Sequence, residues 1–117
     1  MHIPYFDAHC DTLTAVFENG GGLFENQYMV DFKRLSAYAP AAQVFAVWNG
    51  NYEAKAALLK RYCEQNSGLV ELCRSVDDIV RANAAGKIAA LLSVEGAGQL
   101  GCDVETLRQA RERDGII

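Results

Sequence analysis

The residues best suited to chemistry are Asp7, His9 and Asp11, which alternate along residues 5–12 near the N-terminus. This segment reads as a short first strand, in which every second side chain shares one face. Carboxylates on such a face are costly to remove from water without a positive charge opposite, and no Lys or Arg precedes Lys33. A divalent cation would balance them, because imidazole nitrogen and carboxylate oxygen are ordinary zinc ligands. The spacing therefore indicates that His9 and Asp11 bind one metal ion.

Composition and charge argue against several other classes of function. The chain has 117 residues, half of them hydrophobic, which is enough for one core and short for two, so we expect a single domain over residues 1–117. The 11 basic and 15 acidic residues give a net charge of −4 without a block of either sign, so nothing indicates nucleic acid or an anionic membrane as a partner. No apolar run approaches the ~20 residues of a membrane span, and a signal-peptide pattern is absent, so we expect a cytoplasmic protein.

The four cysteines, at positions 10, 63, 73 and 102, form neither a Cys-x-x-Cys pair nor a zinc-finger spacing. We therefore expect reduced thiols. Alternation along the first strand puts Cys10 on the face opposite His9, which favours a packed thiol over a metal ligand.

Strand and helix patterns alternate along the chain. After a glycine-rich break at residues 19–22, they predict a short helical segment at 30–38, a buried strand at 41–48, an amphipathic helix at 52–66, a helix from Ser75 to Gly86, a buried strand at 88–94, a helix from Asp103 to about Arg113 and a further strand beginning at 115–117. This order predicts the α/β class, with parallel strands in a barrel or an open sheet. In both architectures chemistry collects at the C-terminal ends of the strands. His9, Asp11, Trp48, Asn49 and Glu95 all fall there, and Trp48 and Asn49 are candidates for a substrate pocket.

A competing function comes from Gly96, Gly98 and Gly101, which satisfy the dinucleotide fingerprint G-x-G-x-x-G directly after a strand. That motif needs a helix to begin within the glycines, so that its free amides face the pyrophosphate. Here the best helix start is Asp103, which would put a carboxylate where an anion should bind. Asp114 also precedes the next strand instead of ending it. A dinucleotide-binding domain is therefore the weaker interpretation.

Three segments together carry a resemblance to a known family: residues 7–12 (DAHCDT), 43–48 (QVFAVW) and 93–96 (SVEG). They resemble the N-terminal part of the membrane (renal-type) dipeptidases, a family of zinc metallopeptidases. The resemblance implies the first part of a metal-dependent-hydrolase (β/α)8 TIM barrel with two zinc ions. It also implies that His9 and Asp11 hold one zinc, that Glu95 bridges both, and that Asp7 orients a ligand from the second shell. The implied reaction is hydrolysis of dipeptides, with Glu95 positioning a water that the metal activates.

The chain departs from this family in length and in histidines. The second zinc needs histidines from later strands, and the family's substrate-binding His and Arg and catalytic Asp also lie beyond this sequence; the only other histidine, His2, cannot replace them. A whole barrel takes about 250 residues. We therefore expect an N-terminal dipeptidase fragment, inactive alone, that holds at most one zinc weakly.

Two classes of function follow for such a fragment. In the first, it contributes a metal site that is completed either by a complementary C-terminal polypeptide or by a downstream segment missing from this sequence. In the second, it is a non-catalytic remnant that folds and self-associates through its bare strand edges as a homo-oligomer.

Overall fold

A computed structural model describes residues 4–117, and His2 lies outside that range. The strands are β1 (Tyr5–Cys10), β2 (Ala41–Val47), β3 (Val70–Leu72) and β4 (Ile88–Val94). The helices are α1 (Thr12–Asn19), α2 (Phe32–Leu35), α3 (Tyr52–Gln65), α4 (Val76–Ala84) and α5 (Val104–Asp114), with short 3-10 helices at Ser36–Tyr38 and Ala97–Leu100. All strand pairs are parallel, and the sheet has the order β1-β2-β4-β3. The predicted α/β class with parallel βα units is confirmed.

The two central strands, β2 and β4, form the buried middle of the sheet. Every residue of β2 is buried, and so are the first five residues of β4. Residues 42–47 pair in continuous register with residues 89–94. Strands covered on both faces read as unbroken apolar runs, which is why the sequence predicts both of them well.

Helix starts follow the capping residues in the sequence. Asp31, Ser75 and Asp103 each accept a hydrogen bond from the backbone amide three residues further on, and so cap α2, α4 and α5. Each cap satisfies a free amide of the first turn and contributes about 1 kcal/mol. The predicted starts at Ser75 and Asp103 are confirmed.

The handedness of the connections decides which face each helix covers. The chain moves from β1 to β2 and then past the position of β4 to β3, so the right-handed crossover rule puts α1 and α3 on one face. From β3 to β4 the chain moves back, and the same rule puts α4 on the opposite face. The core is divided accordingly: Leu59 of α3 packs with Phe45 and Leu92, whereas Ala82 of α4 packs with Val44 and Leu91.

Strand β3 is not among the strands that the sequence predicts. It has three residues, too few for a periodic signal, and it pairs only with the N-terminal half of β4. Further along the same edge of β4, the Ile117 amide donates to the Leu92 carbonyl at 3.0 Å. Residues 115–117 do not form the expected strand, and this single hydrogen bond is their backbone contact with β4. Without β3, the strands follow each other in sequence order, as in a barrel.

No helix within residues 4–117 is long and apolar enough to cross a membrane.

A buried carboxylate ties the end of α5 to α3. Asp114 is 2% exposed and accepts hydrogen bonds from Tyr52, at 2.5 Å, and from Lys60 and Arg113. Burial alone would raise the pKa of Asp114, but the hydrogen bonds from Arg113, Lys60 and Tyr52 outweigh it and hold this pKa well below its ordinary range. The ionised form therefore stabilises the fold.

Asp114→Asn should lower the free energy of unfolding at pH 7 by about 2 kcal/mol, since charge-assisted hydrogen bonds are lost. The folded pKa lies below the unfolded value of about 3.9, so the contribution is present at neutral pH and declines as the pH falls below about 4. Urea unfolding, measured between pH 7 and pH 3, should show that the free energy of unfolding falls more steeply with pH for the wild type than for the variant. Glu112→Gln, at an exposed carboxylate of the same helix, is the control. Equal pH dependence of the wild type and Asp114→Asn would contradict this role.

Candidate metal site

The candidate metal site is the cluster of His9, Asp11 and Glu95. One ligand atom from each lies within 4.8 Å of the other two. The His9 Nε2 atom is 3.3 Å from Asp11 Oδ1 and 3.5 Å from Glu95 Oε2. The side chains are 48%, 63% and 53% exposed, so the cluster is open to an ion and to a substrate.

The position of His9 depends on an irregularity in β1. Asp7 pairs with Gln43 and Cys10 pairs with Phe45, so three steps along β1 match two steps along β2. Such a bulge interrupts the alternation of side chains. The expectation that Asp7, His9 and Asp11 share one strand face is therefore wrong, because Asp7 and Cys10 lie on the face of Gln43 and Phe45.

Asp7 contacts the strands around the cluster. Its Oδ1 atom accepts the backbone amide of His9 at 3.1 Å, and its Oδ2 atom accepts the buried Gln43 side-chain amide at 3.0 Å. The Tyr5 hydroxyl also donates to Asp7, at 3.3 Å. Asp7 thus holds the backbone of His9 at the bulge.

Glu95 reaches the cluster from the end of β4. Its backbone amide donates to the Val47 carbonyl at 2.9 Å, which continues the pairing of β2 with β4 by one residue. Gly96 follows with φ of 91°, a conformation that favours glycine, and turns the chain away from the sheet. The C-terminal ends of β1 and β4 thereby bring Glu95 beside His9, as the strand-end argument predicts.

The turn after β2 carries Trp48 and Asn49. Thr14 of α1 accepts the Trp48 amide at 3.2 Å, and its hydroxyl donates to the Trp48 carbonyl at 3.3 Å. The Lys55 ammonium, fully buried, donates to the same carbonyl and lies 3.3 Å from Glu18. The Trp48 side chain is 49% exposed. A role for Trp48 and Asn49 in a substrate pocket stays a prediction.

An open cavity of about 480 Å³ adjoins the cluster, lined by Asp7, His9, Cys10 and Asp11 and by the 27–30 segment among others. Trp48 and Asn49 are not part of its lining. Burial raises the pKa of the Cys10 thiol to about 11. At neutral pH it is protonated, and it packs in the core with Leu13 and Phe45, as expected for a thiol that is not a ligand.

The donor set fits a divalent metal. One imidazole nitrogen and two carboxylate oxygens are ordinary zinc ligands, and three protein ligands with an open position are typical of catalytic zinc.

The glycine segment does not have the geometry of a dinucleotide site. Helix α5 begins at Val104, after the third glycine, and the Asp103 carboxylate accepts the Thr106 amide at 2.8 Å. A negative charge therefore occupies the helix N-terminus that a pyrophosphate would need.

Two polar residues that hold backbone around the site, Lys55 and Gln99, are not among the predicted site residues. Lys55 lies on the amphipathic helix α3, where a lysine is expected in solvent, and its burial depends on Glu18 and the Trp48 carbonyl. Gln99 stands in the glycine segment and contacts the backbone of Glu95. No sequence signal marks either, apart from the place of Gln99 four residues after Glu95.

Comparisons with known proteins identify the family and the fold. The chain matches the family described as membrane dipeptidase (peptidase family M19) over residues 1–115. A search of curated proteins found no match. Among solved structures, the chain is similar to an amidohydrolase from Pseudomonas aeruginosa, with 20% sequence identity and a TM-score of 0.58. The similarity covers 95% of this chain and 30% of that one, so the chain spans less than a third of its structural relative.

At this identity the structural match establishes the fold alone, an α/β sheet like the N-terminal part of a barrel. The family match supports more than the fold, since it runs over nearly the whole sequence and includes the segments with His9, Asp11 and Glu95. The chain belongs to the membrane dipeptidase family of peptidases.

Proposed function

We propose that this chain supplies part of the metal centre of a zinc-dependent dipeptidase, with His9 and Asp11 as ligands of one ion and Glu95 as a bridging ligand. The observation that carries the proposal is the convergence of three ligand atoms, from β1 and from the end of β4, within 4.8 Å. Membership in a peptidase family supports peptide hydrolysis as the reaction.

A bound divalent cation would supply Lewis acidity, which polarises a carbonyl and makes water acidic enough to act as a nucleophile near neutral pH. The chain supplies the ligands. His9 would contribute an imidazole nitrogen, while Asp11 and Glu95 would each contribute a carboxylate oxygen, a set that suits a dication. Asp7 holds the His9 amide, and so fixes the direction of the ligand. Glu95, with two carboxylate oxygens, would be able to hold a second ion as well as the first.

The remaining parts of the reaction need residues that these 117 do not contain. The other histidines and the groups that bind the substrate carboxylate would come from a complementary C-terminal polypeptide. The cluster is half exposed, and the outer edge of β1 carries no strand within residues 4–117. Phe6 on that strand is 62% exposed. These features support an assembly in which further strands cover β1.

The alternative, a non-catalytic remnant that self-associates, uses the same exposed edge. Contacts between two copies would cover β1 without completing a metal centre. Metal binding and activity in the presence of the missing strands distinguish the two functions.

Zinc binding tests the ligands directly. After dialysis against low micromolar zinc, the wild-type chain should retain about one ion weakly, because at most three protein ligands are available. His9→Ala should abolish retention, measured by metal analysis and isothermal titration. His2→Ala, at the only other histidine, should bind like the wild type. Two tightly held zinc ions per chain would contradict this ligand count.

Activity tests the reaction. The isolated chain should hydrolyse dipeptides little above background, since the two-metal clamp that contributes several kcal/mol to the transition state is incomplete. Addition of a polypeptide with the remaining barrel strands of a family member should restore zinc-dependent hydrolysis. Glu95→Gln should remove it, because the bridge loses its negative charge. Zinc-dependent turnover by the isolated chain would show that it needs no second polypeptide.

Self-association tests the exposed edge. We expect a dimer or larger assembly at micromolar concentration, because an unpaired parallel edge and exposed apolar side chains favour association. Phe6→Lys should shift sedimentation velocity profiles toward monomer. A wild-type chain that sediments as a clean monomer would argue against an exposed edge that needs a partner.

A further inference from the structure

The side-chain amide of Gln99 joins the residue after β4 to the end of β2 and to the turn that follows β2. Its nitrogen donates to the Val47 carbonyl at 2.9 Å and to the Glu95 carbonyl at 2.5 Å. Its oxygen accepts the Gly50 amide at 3.0 Å. Both amide hydrogens and the oxygen are therefore used, all on main-chain groups around the candidate metal site.

Both segments that Gln99 contacts include residues with positive φ. Asn49, Gly50 and Asn51 all have positive φ, of 59°, 78° and 56°. Asparagine adopts the left-handed conformation more readily than most residues but still at some cost, so contacts from outside stabilise this turn. On the other side, Glu95 is followed by Gly96, whose backbone has unusual freedom.

We propose that Gln99 is a positioning residue for Glu95, which locks the backbone of this ligand to the end of β2 and to the turn at Gly50. The inference rests on the proposed function, because it assigns to Gln99 a role at the same metal site. The Glu95 side chain is 53% exposed and has few packing contacts to fix it. Its backbone therefore sets the point from which the side chain reaches His9, and this backbone is held at the Glu95 amide by the Val47 carbonyl and at the Glu95 carbonyl by Gln99.

The substitution that tests this role is Gln99→Met, which keeps the length of the side chain and removes all three hydrogen bonds. The matched control is Gln109→Met, because Gln109 is exposed on α5 and donates only to Glu105, at 2.9 Å. The probe is cobalt(II) alone, followed by its visible absorption as the full chain is titrated. Thermal unfolding is measured on the same samples.

Gln99→Met should bind cobalt roughly 10–100-fold more weakly than the wild type, as for other residues that orient metal ligands. Its absorption spectrum should shift toward that of Glu95→Gln, a change that a role in stability alone would not produce. Gln109→Met should match the wild type in affinity and spectrum. Equal cobalt affinity of Gln99→Met and wild type would overturn the proposal.

Amide hydrogen exchange, measured by NMR without metal, separates this inference from the proposed function. In the wild type, the Gly50 and Glu95 amides should both be protected, and in Gln99→Met both should exchange faster, with the amides of β2 unchanged. Absence of cobalt binding by the wild type would contradict the proposed function, and the exchange data would still decide the role of Gln99. An unprotected Gly50 amide in the wild type would overturn that role even if Gln99→Met does not fold.

Discussion

The pairing of β2 with β4 is the constraint on which the site depends. Residues 42–47 and 89–94 lie in continuous parallel register, buried except at Ser93 and Val94, and the Glu95 amide extends that register to Val47. Because β1 pairs with the other edge of β2, the same central strand sets the positions of both His9 and Glu95. A one-residue slip in either pairing would turn one of these side chains to the wrong face.

The bulge in β1 is the second requirement. In a regular strand, Asp7 and His9 would share a face, and the Asp7 carboxylate would compete for the same space as the ligands. The extra residue before Cys10 separates their directions. Asp7 then accepts hydrogen bonds from the His9 backbone amide and from the Gln43 side-chain amide. These two hydrogen bonds stabilise the irregular backbone of the bulge. The cost of an interrupted ladder is offset by hydrogen bonds that the side chains supply.

Polar side chains hold the loops at the C-terminal edge of the sheet. Lys55 and Thr14 fix the Trp48 carbonyl, and Gln99 fixes the carbonyls of Val47 and Glu95. A lysine removed from water costs several kcal/mol unless it is paired, so Glu18 is part of the same arrangement. Loops are usually the mobile parts of an α/β fold, and here side chains from α1, α3 and the glycine segment restrain them.

The sequence by itself determined the central strands, the starts of two helices and the candidate metal ligands. The apolar runs of β2 and β4, the caps Ser75 and Asp103, and the strand-end placement of His9 and Glu95 follow from periodicity and from the rules of parallel sheets. These signals are local, and each is complete within about ten residues. Family membership followed from the same short segments.

Only the tertiary structure decided the bulge, strand β3, the side of the sheet that α4 covers, and the partners of Lys55 and Gln99. A bulge is visible only against a paired strand, and a three-residue strand only through its ladder with β4. The face of α4 depends on the direction in which the chain crosses the sheet. A buried lysine or a bridging amide depends on backbone groups distant in sequence, which no periodicity records.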